Sequence, residues 1–317
     1  MTSAPRRIVL DCDPGHDDAV AMMLALGNPA IEVLAITTVG GNQTIDKVTR
    51  NAQSVMAMCR REDVPVYQGA SRPLVHRVES APEIHGESGL DGVELPEPGA
   101  ALRDGHAAVA IVDAVMGAKP GEVTLVGTGP LTNLALAVRL EPRIVERVAE
   151  VVVMGGGFPE ANWTAAAEFN IWVDPQAAAI VFDEPWPVTM VGLDLTHQAL
   201  ATAEVEARVG AIGSPLSDFF VGLMGFFRKA YKESQAFDDP PVHDPCTIAY
   251  LIDPTIVQTR RAPIAVELRG EHTVGMTVVD LRGPAPEGTH TQVATTLDAD
   301  RFWGLVEDAI RALSDAE

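Results

Sequence analysis

The sequence predicts an α/β fold: an open, mostly parallel, doubly wound sheet flanked by helices. Two observations support this fold class. Segments of strand character alternate with segments of helical periodicity over most of the 317 residues. The strand-like segments also end in Gly, Asp or Asn, which is typical of turns at the carboxyl edge of a parallel sheet. Because the sequence has no internal repeat and no linker, we expect a single domain over residues 1–317.

The first predicted strand leads directly into an acidic turn. The apolar run Ile8-Val9-Leu10 ends in Asp11-Cys12-Asp13-Pro14-Gly15-His16-Asp17-Asp18. Residues 19–26 then form an apolar helix that stops at Gly27-Asn28-Pro29. A strand, a tight turn and a helix therefore bring four carboxylates to the carboxyl end of the first strand. In open α/β sheets that edge is where ligands bind.

The later elements follow from hydrophobic period and from Gly and Pro punctuation. Further strands are predicted at residues 31–39, 64–67, 123–126, 150–154 and 188–193. Helices are predicted at residues 44–59 and 106–116, up to Leu140, after Pro175, over most of 203–236 with a start at Ser214-Pro215, and from Ala299. Residues 70–104 are expected to form a long loop, which in a compact domain is functional or disordered. Residues 262–268, 275–281 and 292–296 are expected to form a β-ribbon.

Composition limits the classes of partner. The formal net charge is −21, so nucleic acids and anionic membrane surfaces are excluded as expected partners, and a neutral or cationic substrate is favoured. No apolar run approaches the roughly 20 residues of a spanning helix, and no signal peptide is recognisable. Three cysteines without a CxxC spacing are typical of a reduced protein, so we expect a cytoplasmic location.

The four carboxylates of the first turn repel one another unless a positive charge lies among them. One alternative is that Asp17 or Asp18 caps the helix and the others face water. That alternative suits Asp13 poorly, because a carboxylate at the end of a buried strand needs a partner. We therefore favour a hard cation, for which oxygen ligands without Cys or His indicate calcium or magnesium rather than zinc.

Other strand ends add neutral polar groups at the same edge. Gly40-Gly41-Asn42, Gly127-Thr128-Gly129 and Met154-Gly155-Gly156-Gly157 each follow a predicted strand. Taken singly, these glycines indicate only tight turns. Together with neighbouring polar residues they outline a pocket suited to a polyhydroxylated ligand such as a sugar; the polar residues are Asn42, Thr128, Asn162, Glu168 and Asn170. No GxGxxG, P-loop or accompanying Lys supports dinucleotide or triphosphate binding.

Two histidines are candidates with simpler alternatives. Asp244 precedes Pro245 in an arrangement typical of a helix cap, so His243 could be a structural histidine beside that cap. His85 could be a loop histidine in water. No GxSxG elbow or protease-like cysteine pairing is found, and covalent catalysis is not supported.

The motifs as a set resemble the nucleoside hydrolases, the inosine-uridine preferring family. The resemblance spans nearly the whole chain in the family's order. The matching segments are Asp11 through Ala19, Val39-Gly40-Gly41-Asn42, Ile84-His85-Gly86, Gly127 through Asn133, Val153 through Gly157, Glu168-Phe169-Asn170 and Val242-His243-Asp244-Pro245. The family's fold is an open α/β sheet in a single domain, and its members form homotetramers or homodimers. The resemblance implies the same for this chain.

The resemblance also implies roles for individual residues. It implies hydrolysis of the N-glycosidic bond of purine or pyrimidine ribonucleosides by a calcium-activated water, through an oxocarbenium-like transition state. The calcium ligands would be Asp13, Asp18, Asp244 and the main-chain oxygen of Thr128. Asp13 would also be the general base. The ribose hydroxyls would be held by Asp17, Asn42, Glu168 and Asn170.

The remaining implied contacts concern the rest of the nucleoside. Asn162 and Met154 would lie near the 5′ side and the sugar face, and Phe169 belongs to the same substrate-binding set. His243 would help to protonate the leaving base, and His85 would line the base side. The match is weakest at residues 224–237, where relatives place mobile groups over the base. Tyr231 is one such group, and it could share the protonation.

Two rival functions stay open at this point. Asp11-x-Asp13 after an apolar strand resembles the nucleophile motif of haloacid-dehalogenase-type phosphatases. That motif needs a Thr soon after the second Asp, where this chain has Pro14-Gly15-His16, and a later Lys. The other rival is a nucleoside-binding protein without catalysis, against which the complete set of implied ligands and the base argues.

Overall fold

The computed structural model describes residues 4–99 and 101–315. The strands within these ranges are β1 (Arg6–Cys12), β2 (Ile31–Thr38), β3 (Val66–Gln68), β4 (Val123–Gly127), β5 (Val148–Met154), β6 (Val188–Val191), β7 (Val257–Arg261), β8 (Ile264–Val266), β9 (Thr277–Val279) and β10 (Thr291–Leu297). The helices are α1 (His16–Gly27), α2 (Ile45–Met58), α3 (Pro82–His85), α4 (Ala107–Gly117), α5 (Thr132–Leu140), α6 (Phe169–Val173), α7 (Pro175–Asp183), α8 (Leu193–Thr196), α9 (Ala203–Gly210), α10 (Pro215–Ser234), α11 (Pro245–Ile252) and α12 (Ala299–Asp315). Two 3-10 helices cover Pro142–Glu146 and Pro254–Ile256.

Eight strands form one sheet in the order β3-β2-β1-β4-β5-β6-β10-β7. Every neighbouring pair is parallel except β10 with β7, which is antiparallel. The order turns back on itself at β1 and β4, so the chain winds first one way and then the other. The predicted open, mostly parallel, doubly wound sheet is confirmed.

Side chains of β1 alternate between two hydrophobic cores, as the two-residue period of a strand requires. Ile8 and Leu10 pack into the core beneath α1, α2, α10, α11 and α12, whereas Val9 packs into the core beneath α4, α5 and α7. Because both faces are covered, the strands carry long apolar runs rather than an alternation of polar and apolar residues. The sheet is therefore a rigid support for whatever follows its strand ends.

The helix after the acidic turn is almost entirely buried, with residues 16–26 all inaccessible to solvent or nearly so. It ends where the sequence predicts, at Gly27, and a Cβ on that glycine would lie 2.5 Å from the main-chain oxygen of Ala309 in α12. The close approach of α1 and α12 therefore requires glycine at this position. The predicted start of α10 is also confirmed, since Ser214 accepts a hydrogen bond from the Ser217 N–H and Pro215 follows it.

The prediction for the tail of the chain was partly wrong. Strands β8 and β9 do form an antiparallel ribbon, but β10 leaves it and pairs with β6 in the main sheet. Strand β7 was not predicted because its last four residues are polar and exposed, as an edge strand permits. The strand predicted at 188–193 ends at Val191, and the predicted 70–104 loop contains the short helix α3. Across the described ranges, none of the helices combines the length and the apolar character needed to span a bilayer.

Candidate active site

A pocket opens at the carboxyl edge of the sheet, above the ends of β1, β2, β4 and β5. Its empty volume, which includes the open mouth, is about 480 Å³. The residues that line it are Asp17, Asn42, Ala81, Ile84, His85, Thr128, Met154, Asn162, Trp163, Glu168, Phe169, Asn170, Tyr231, Gln235, His243 and Asp244. The predicted convergence of several strand ends on one edge is confirmed. None of these lining residues is Lys or Arg.

Four buried carboxylates form the floor of the pocket, and we call this set the carboxylate end: Asp13, Asp17, Asp18 and Asp244. Carboxylate oxygens of Asp17, Asp18 and Asp244 all lie within 4.8 Å of one another. Asp13 follows β1 directly, and Asp17 and Asp18 lie in the first turn of α1. Asp244 comes from a distant part of the chain, immediately before α11. The fold thus gathers acidic groups that would repel one another in isolation.

Fixed donors hold Asp18 on several sides. Its Oδ1 accepts the Thr128 hydroxyl at 2.8 Å, and its Oδ2 accepts the Gly15 N–H at 3.0 Å and the Asn42 Nδ2–H at 3.2 Å. The Gly15 bond is a capping contact, so the alternative of a helix cap is correct for Asp18. The rest of that alternative is wrong, because Asp11 and Asp13 are buried and do not face water.

Electrostatics at the carboxylate end are unfavourable without a positive charge. Burial first, and the neighbouring Asp18 second, raise the pKa of Asp17 to about 8. Burial also raises the pKa of Asp13 well above its ordinary 3.8, with Asp18 adding to the effect and the Asn42 N–H opposing it. The pKa of Asp244 is raised in the same way, by burial and then by Asp17. A cation among these groups would restore their charged forms.

The local structure fits a cation in two further respects. Asp13 Oδ2 accepts the Asn42 N–H at 2.7 Å, but Asp13 Oδ1 is buried and has no hydrogen-bond partner in the described residues. A Cβ on Gly129 would lie 2.5 Å from that unpaired oxygen, and a Cβ on Gly41 would lie closer still to Oδ2. Glycine at these strand ends therefore leaves room for the carboxylate. The donor set consists of oxygen atoms, which suits a hard cation.

The side of the pocket around β5 and α6 is lined by uncharged donors and by one further acid. Glu168 caps α6, accepting the N–H groups of Asn170 at 2.9 Å, Ile171 at 3.1 Å and Gly156 at 2.9 Å. Burial outweighs these bonds and raises the pKa of Glu168 to about 7. Asn170 Nδ2 donates to the main-chain oxygen of Thr128 at 2.9 Å, and Met154 lies beside it.

A cluster of rings adjoins the pocket, and we call this set the aromatic end: His16, His85, Phe226, Phe227 and Tyr231, of which His85 and Tyr231 line the pocket. The ring of His16 stacks between those of Phe226 and Phe227, with centroids 5.2 and 5.1 Å away. His16 Nε2 bonds the main-chain oxygen of Asp91 at 2.9 Å, and its backbone N–H donates to His85 Nδ1 at 3.3 Å. His16 therefore joins α10 to the loop that carries His85. The alternative of His85 in water is wrong, because His85 is buried in the pocket wall.

His243 lies between the two ends. Its Nε2 is 2.7 Å from the hydroxyl oxygen of Tyr231, and its Nδ1 is 2.7 Å from the hydroxyl oxygen of Thr196. Burial lowers the pKa of His243 to about 3 and raises the pKa of the Tyr231 hydroxyl well above 10, so both groups are neutral in the free pocket. Asp244 occupies the cap position of α11, yet its side chain makes no capping bond there.

Most of the residues proposed from the sequence are together in this pocket. The exceptions are Asp13 and Asp18, which lie just beneath the lining and are held there by Asn42 and Thr128. Three predicted ligand-binding groups are already engaged with protein: Asn42 and Asn170 through Nδ2, and Asn162, whose Oδ1 accepts the Phe169 N–H at 3.0 Å. Such bonds fix the orientation of the amides that face the pocket.

Sequence reasoning missed four lining residues: Ala81, Ile84, Trp163 and Gln235. Trp163 packs edge-on to Phe169 with centroids 4.8 Å apart. Its position beside Asn162, as a tryptophan in a polar loop, was a usable signal. Gln235 follows the last turn of α10 and carries no motif, so only the three-dimensional structure brings it to the pocket.

The fold and the pocket define an α/β enzyme with an acidic site for a small molecule. Residues 8–304 match the family model described as inosine-uridine preferring nucleoside hydrolase. The chain is 53% identical over 314 residues to the inosine-uridine preferring nucleoside hydrolase of Crithidia fasciculata, covering 99% of this chain and 100% of that protein. It is 44% identical to a pyrimidine-specific ribonucleoside hydrolase of Salmonella schwarzengrund, covering 96% of this chain and 98% of that protein.

The similarity extends to solved structures. The purine-preferring ribonucleoside hydrolase from Gardnerella vaginalis superposes with a TM-score of 0.92 at 32% identity, covering 98% of this chain and 100% of that one. The chain therefore belongs to the inosine-uridine preferring nucleoside hydrolase family. It is a ribonucleoside hydrolase, a glycosidase that acts on N-glycosyl bonds.

Proposed function

We propose that this enzyme cleaves purine and pyrimidine ribonucleosides to ribose and free base with one calcium ion at the carboxylate end, Asp13 as general base and the His243–Tyr231 pair as acid. The observation that carries the proposal is the placement of four buried carboxylates under one side of a polar pocket and a hydrogen-bonded His–Tyr pair on the other. The first group suits a reaction that develops positive charge, and the second suits a leaving group that develops negative charge.

The groups that would hold calcium are the carboxylates of Asp13, Asp18 and Asp244 and the main-chain oxygen of Thr128. The unpaired Oδ1 of Asp13 and the carboxylate cluster support this assignment. Asp17 also has a carboxylate oxygen within 4.8 Å of those of Asp18 and Asp244, and it lines the pocket; we assign it to the sugar. Calcium, when bound, would neutralise part of this acidic charge and lower the pKa of a coordinated water.

Asp13 is the best placed base, since it combines complete burial with an oxygen that no protein group occupies. Its carboxylate takes a proton from the attacking water as that water adds to the anomeric carbon. Asn42 limits the freedom of the Asp13 side chain by donating its N–H to Oδ2. The carboxylate is thereby kept in one orientation, which serves both metal binding and proton transfer.

Asp17, Asn42, Glu168 and Asn170 bind the ribose hydroxyls, with Asn162, Met154 and Phe169 around the sugar face. Departure of the base leaves positive charge on the ribose ring in an oxocarbenium-like transition state. Fixed carboxylates near that ring stabilise the developing charge more than they stabilise the neutral substrate, which is the condition for catalysis. The absence of Lys and Arg from the pocket lining agrees with this role.

The leaving base lies at the aromatic end, against His85 and Tyr231. The His243–Tyr231 pair is neutral and hydrogen-bonded, so it can present an O–H or N–H group to a base nitrogen that is gaining charge. The three relatives compared above are named for different bases, and the family alone does not decide which base this enzyme prefers. Acceptance of both classes is part of the proposal.

Release of ribose from a panel of purine and pyrimidine ribosides tests the proposal, with the enzyme stripped of metal by a chelator and then supplied with calcium or magnesium. We expect turnover of both classes, lost with the chelator and restored by calcium. A crystal structure with calcium should contain one ion with 6 to 8 oxygen ligands at roughly 2.3–2.6 Å, including Asp13, Asp18 and Asp244.

Two outcomes would support a rival function instead. Hydrolysis of p-nitrophenyl phosphate without release of ribose would indicate a phosphatase. Binding of nucleosides without turnover at saturating calcium would indicate a protein that binds its ligand without catalysis. An ordered structure grown in calcium without an ion between the three carboxylates would remove the metal from the proposal.

A further inference from the structure

Thr196 contacts the proposed acid from the side opposite the pocket. It is the last residue of α8 and is fully buried. Its hydroxyl oxygen lies 2.7 Å from His243 Nδ1, and this is the only side-chain hydrogen bond of Thr196 within residues 4–99 and 101–315. The sequence alone gives this threonine no role, since it lies in no motif considered above.

The hydrogen bonds of His243 decide where the ring hydrogen is. A neutral imidazole has one nitrogen that donates and one that accepts. The Thr196 hydroxyl has no other acceptor in the described part of the chain, so its hydrogen points to Nδ1. Nδ1 is then the acceptor, and the ring hydrogen is on Nε2. The opposite tautomer would leave the Thr196 hydrogen buried without a partner, which is unfavourable.

The same accounting extends to Tyr231. With its hydrogen on Nε2, His243 donates to the Tyr231 oxygen at 2.7 Å. The Tyr231 hydroxyl hydrogen is then not used in that bond. Because Tyr231 lines the pocket, its O–H is free to point at a ligand. In the opposite tautomer, Tyr231 would donate to His243 and present only an acceptor to the pocket.

We propose that Thr196 is a positioning residue that selects the Nε2–H tautomer of His243 and thereby orients the Tyr231 hydroxyl hydrogen toward the leaving base. The inference rests on the proposed function of the His243–Tyr231 pair. It adds a requirement for a hydrogen donor at position 196, which a role in packing alone does not need. His197 does not substitute for Thr196, since its ring centroid is 5.8 Å from that of His243 and the two make no hydrogen bond in the described residues.

The test compares Thr196→Val, which has the same shape without the hydroxyl, with Thr196→Ser, which keeps it. Each variant is assayed on inosine, whose base needs a proton to leave, and on p-nitrophenyl riboside, whose leaving group departs as a stable anion. Thr196→Val should lower kcat on inosine by about 10-fold to 100-fold, the range for a misplaced reacting group. Its rate on the nitrophenyl riboside should stay within about threefold of the parent. Thr196→Ser should retain most of the inosine activity.

A matched control is Thr124→Val, which removes a buried hydroxyl from β4 at a residue that does not line the pocket. It should leave both activities at the value of the parent. A direct readout is the ¹⁵N spectrum of enzyme labelled at its eight histidines, with His243 assigned by comparison with His243→Gln. We expect the hydrogen on Nε2 in the parent and in Thr196→Ser, and loss of that preference in Thr196→Val.

Three results would overturn the inference: full inosine activity in Thr196→Val, equal losses on both substrates, or a parent spectrum with the hydrogen on Nδ1. His243→Ala separates this failure from failure of the proposed function. If His243→Ala slows cleavage of inosine alone while Thr196→Val slows cleavage of neither substrate, the assignment of the acid is supported and the role proposed for Thr196 is wrong. If His243→Ala slows both substrates equally, the acid itself is wrong.

Discussion

The carboxylate end and the aromatic end of the pocket are built in different ways. Three of the four carboxylates come from the turn after β1 or the first turn of α1, and the fourth lies immediately before α11. Two of them are tied to residues that follow strands: Asp13 to Asn42, and Asp18 to Asn42 and Thr128. The aromatic end comes from helices: His16 from α1, His85 from α3, and Phe226, Phe227 and Tyr231 from α10.

This difference separates two requirements on the enzyme. The groups proposed to act on the sugar and on water need a fixed geometry, and the carboxyl edge of a buried parallel sheet provides it. The groups proposed to face the base lie on elements outside the sheet, so we expect changes there to leave that geometry undisturbed. His16 connects the two ends, since it starts α1 and stacks on Phe226 and Phe227.

The largest expected effect concerns the sugar. If the carboxylate end and its neighbours bind the ribose hydroxyls, removal of one hydroxyl leaves buried partners unsatisfied. Discrimination against such an analogue reaches about 10⁴-fold in sites built to bind a hydroxyl. We therefore expect 2′-deoxyinosine to have a kcat/KM about 10⁴-fold below that of inosine. Measured values within tenfold of each other would show that the fixed end does not recognise the sugar.

The next effect concerns the base that activates water. Asp13→Asn keeps the size of the side chain but removes its ability to accept a proton. We expect kcat to fall by about 10²-fold or more on inosine and on p-nitrophenyl riboside alike, because both need the activated water. Assays at saturating calcium separate this loss from weaker metal binding. Turnover near that of the parent would move the base to another carboxylate.

The sequence indicates the edge that carries Asp13, Asp17 and Asp18 because these residues directly follow a strand, whereas Asp244 precedes α11. Asp13, Asn42 and Thr128 each follow a predicted strand, and parallel strands end at one edge, so their proximity follows from topology. The hydrogen bonds that these side chains make could not be predicted from the sequence. Asn42 and Asn170 were predicted to bind a ligand, and the structure adds that their amides also donate to protein groups.

The aromatic end could not be predicted in the same way. Its residues lie on a helix face and in a loop, where an apolar period indicates only burial. Phe227 follows the buried Leu223 by four residues, which is the spacing of a core face, and its stacking partner His16 is some 200 residues away in the sequence. The prediction for the β-ribbon was partly wrong for a related reason. The residues of β10 show the same alternation whether the strand joins a hairpin or the main sheet, so the sequence does not reveal its partner.

Glu168 offers a test by pH, because burial raises its pKa from an ordinary 4.5 to about 7. Between these values the folded protein binds a proton that the unfolded chain has released. The contribution of Glu168 to stability is therefore complete below about pH 4.5 and is lost as the pH rises through 7. Glu168→Gln has no carboxyl group to titrate at this position. Relative to that variant, the free energy of unfolding of the parent should fall by on the order of 3 kcal/mol over that pH range.

Urea unfolding of the parent and of Glu168→Gln at pH 4.5 and pH 8, at one fixed calcium concentration, measures this difference. The Gln variant starts with its own constant offset, since an amide cannot accept the N–H groups of Asn170, Ile171 and Gly156 equally well. Only the change with pH is informative. If the difference in free energy of unfolding between the two proteins is the same at both pH values, Glu168 has an ordinary pKa. Water would then reach its carboxylate more freely than its burial indicates.

The smallest expected effect lies at the aromatic end. Gln235 lines the pocket beside Tyr231, whose main-chain oxygen accepts the Gln235 N–H at 2.9 Å. Its amide can both donate to and accept from the edge of a base, and loss of one such bond costs about 1 kcal/mol. We expect Gln235→Ala to lower kcat/KM for inosine and uridine by roughly fivefold, mainly through KM, because a base contact made before reaction is lost. The nitrophenyl riboside, which has no such edge, should be cleaved as before.

Gln258→Ala on the exposed edge strand β7 is the matched control and should change nothing. If kcat/KM falls for all three substrates in Gln235→Ala, the residue supports the end of α10. The two ends of the pocket would then be more tightly coupled than their separate construction indicates.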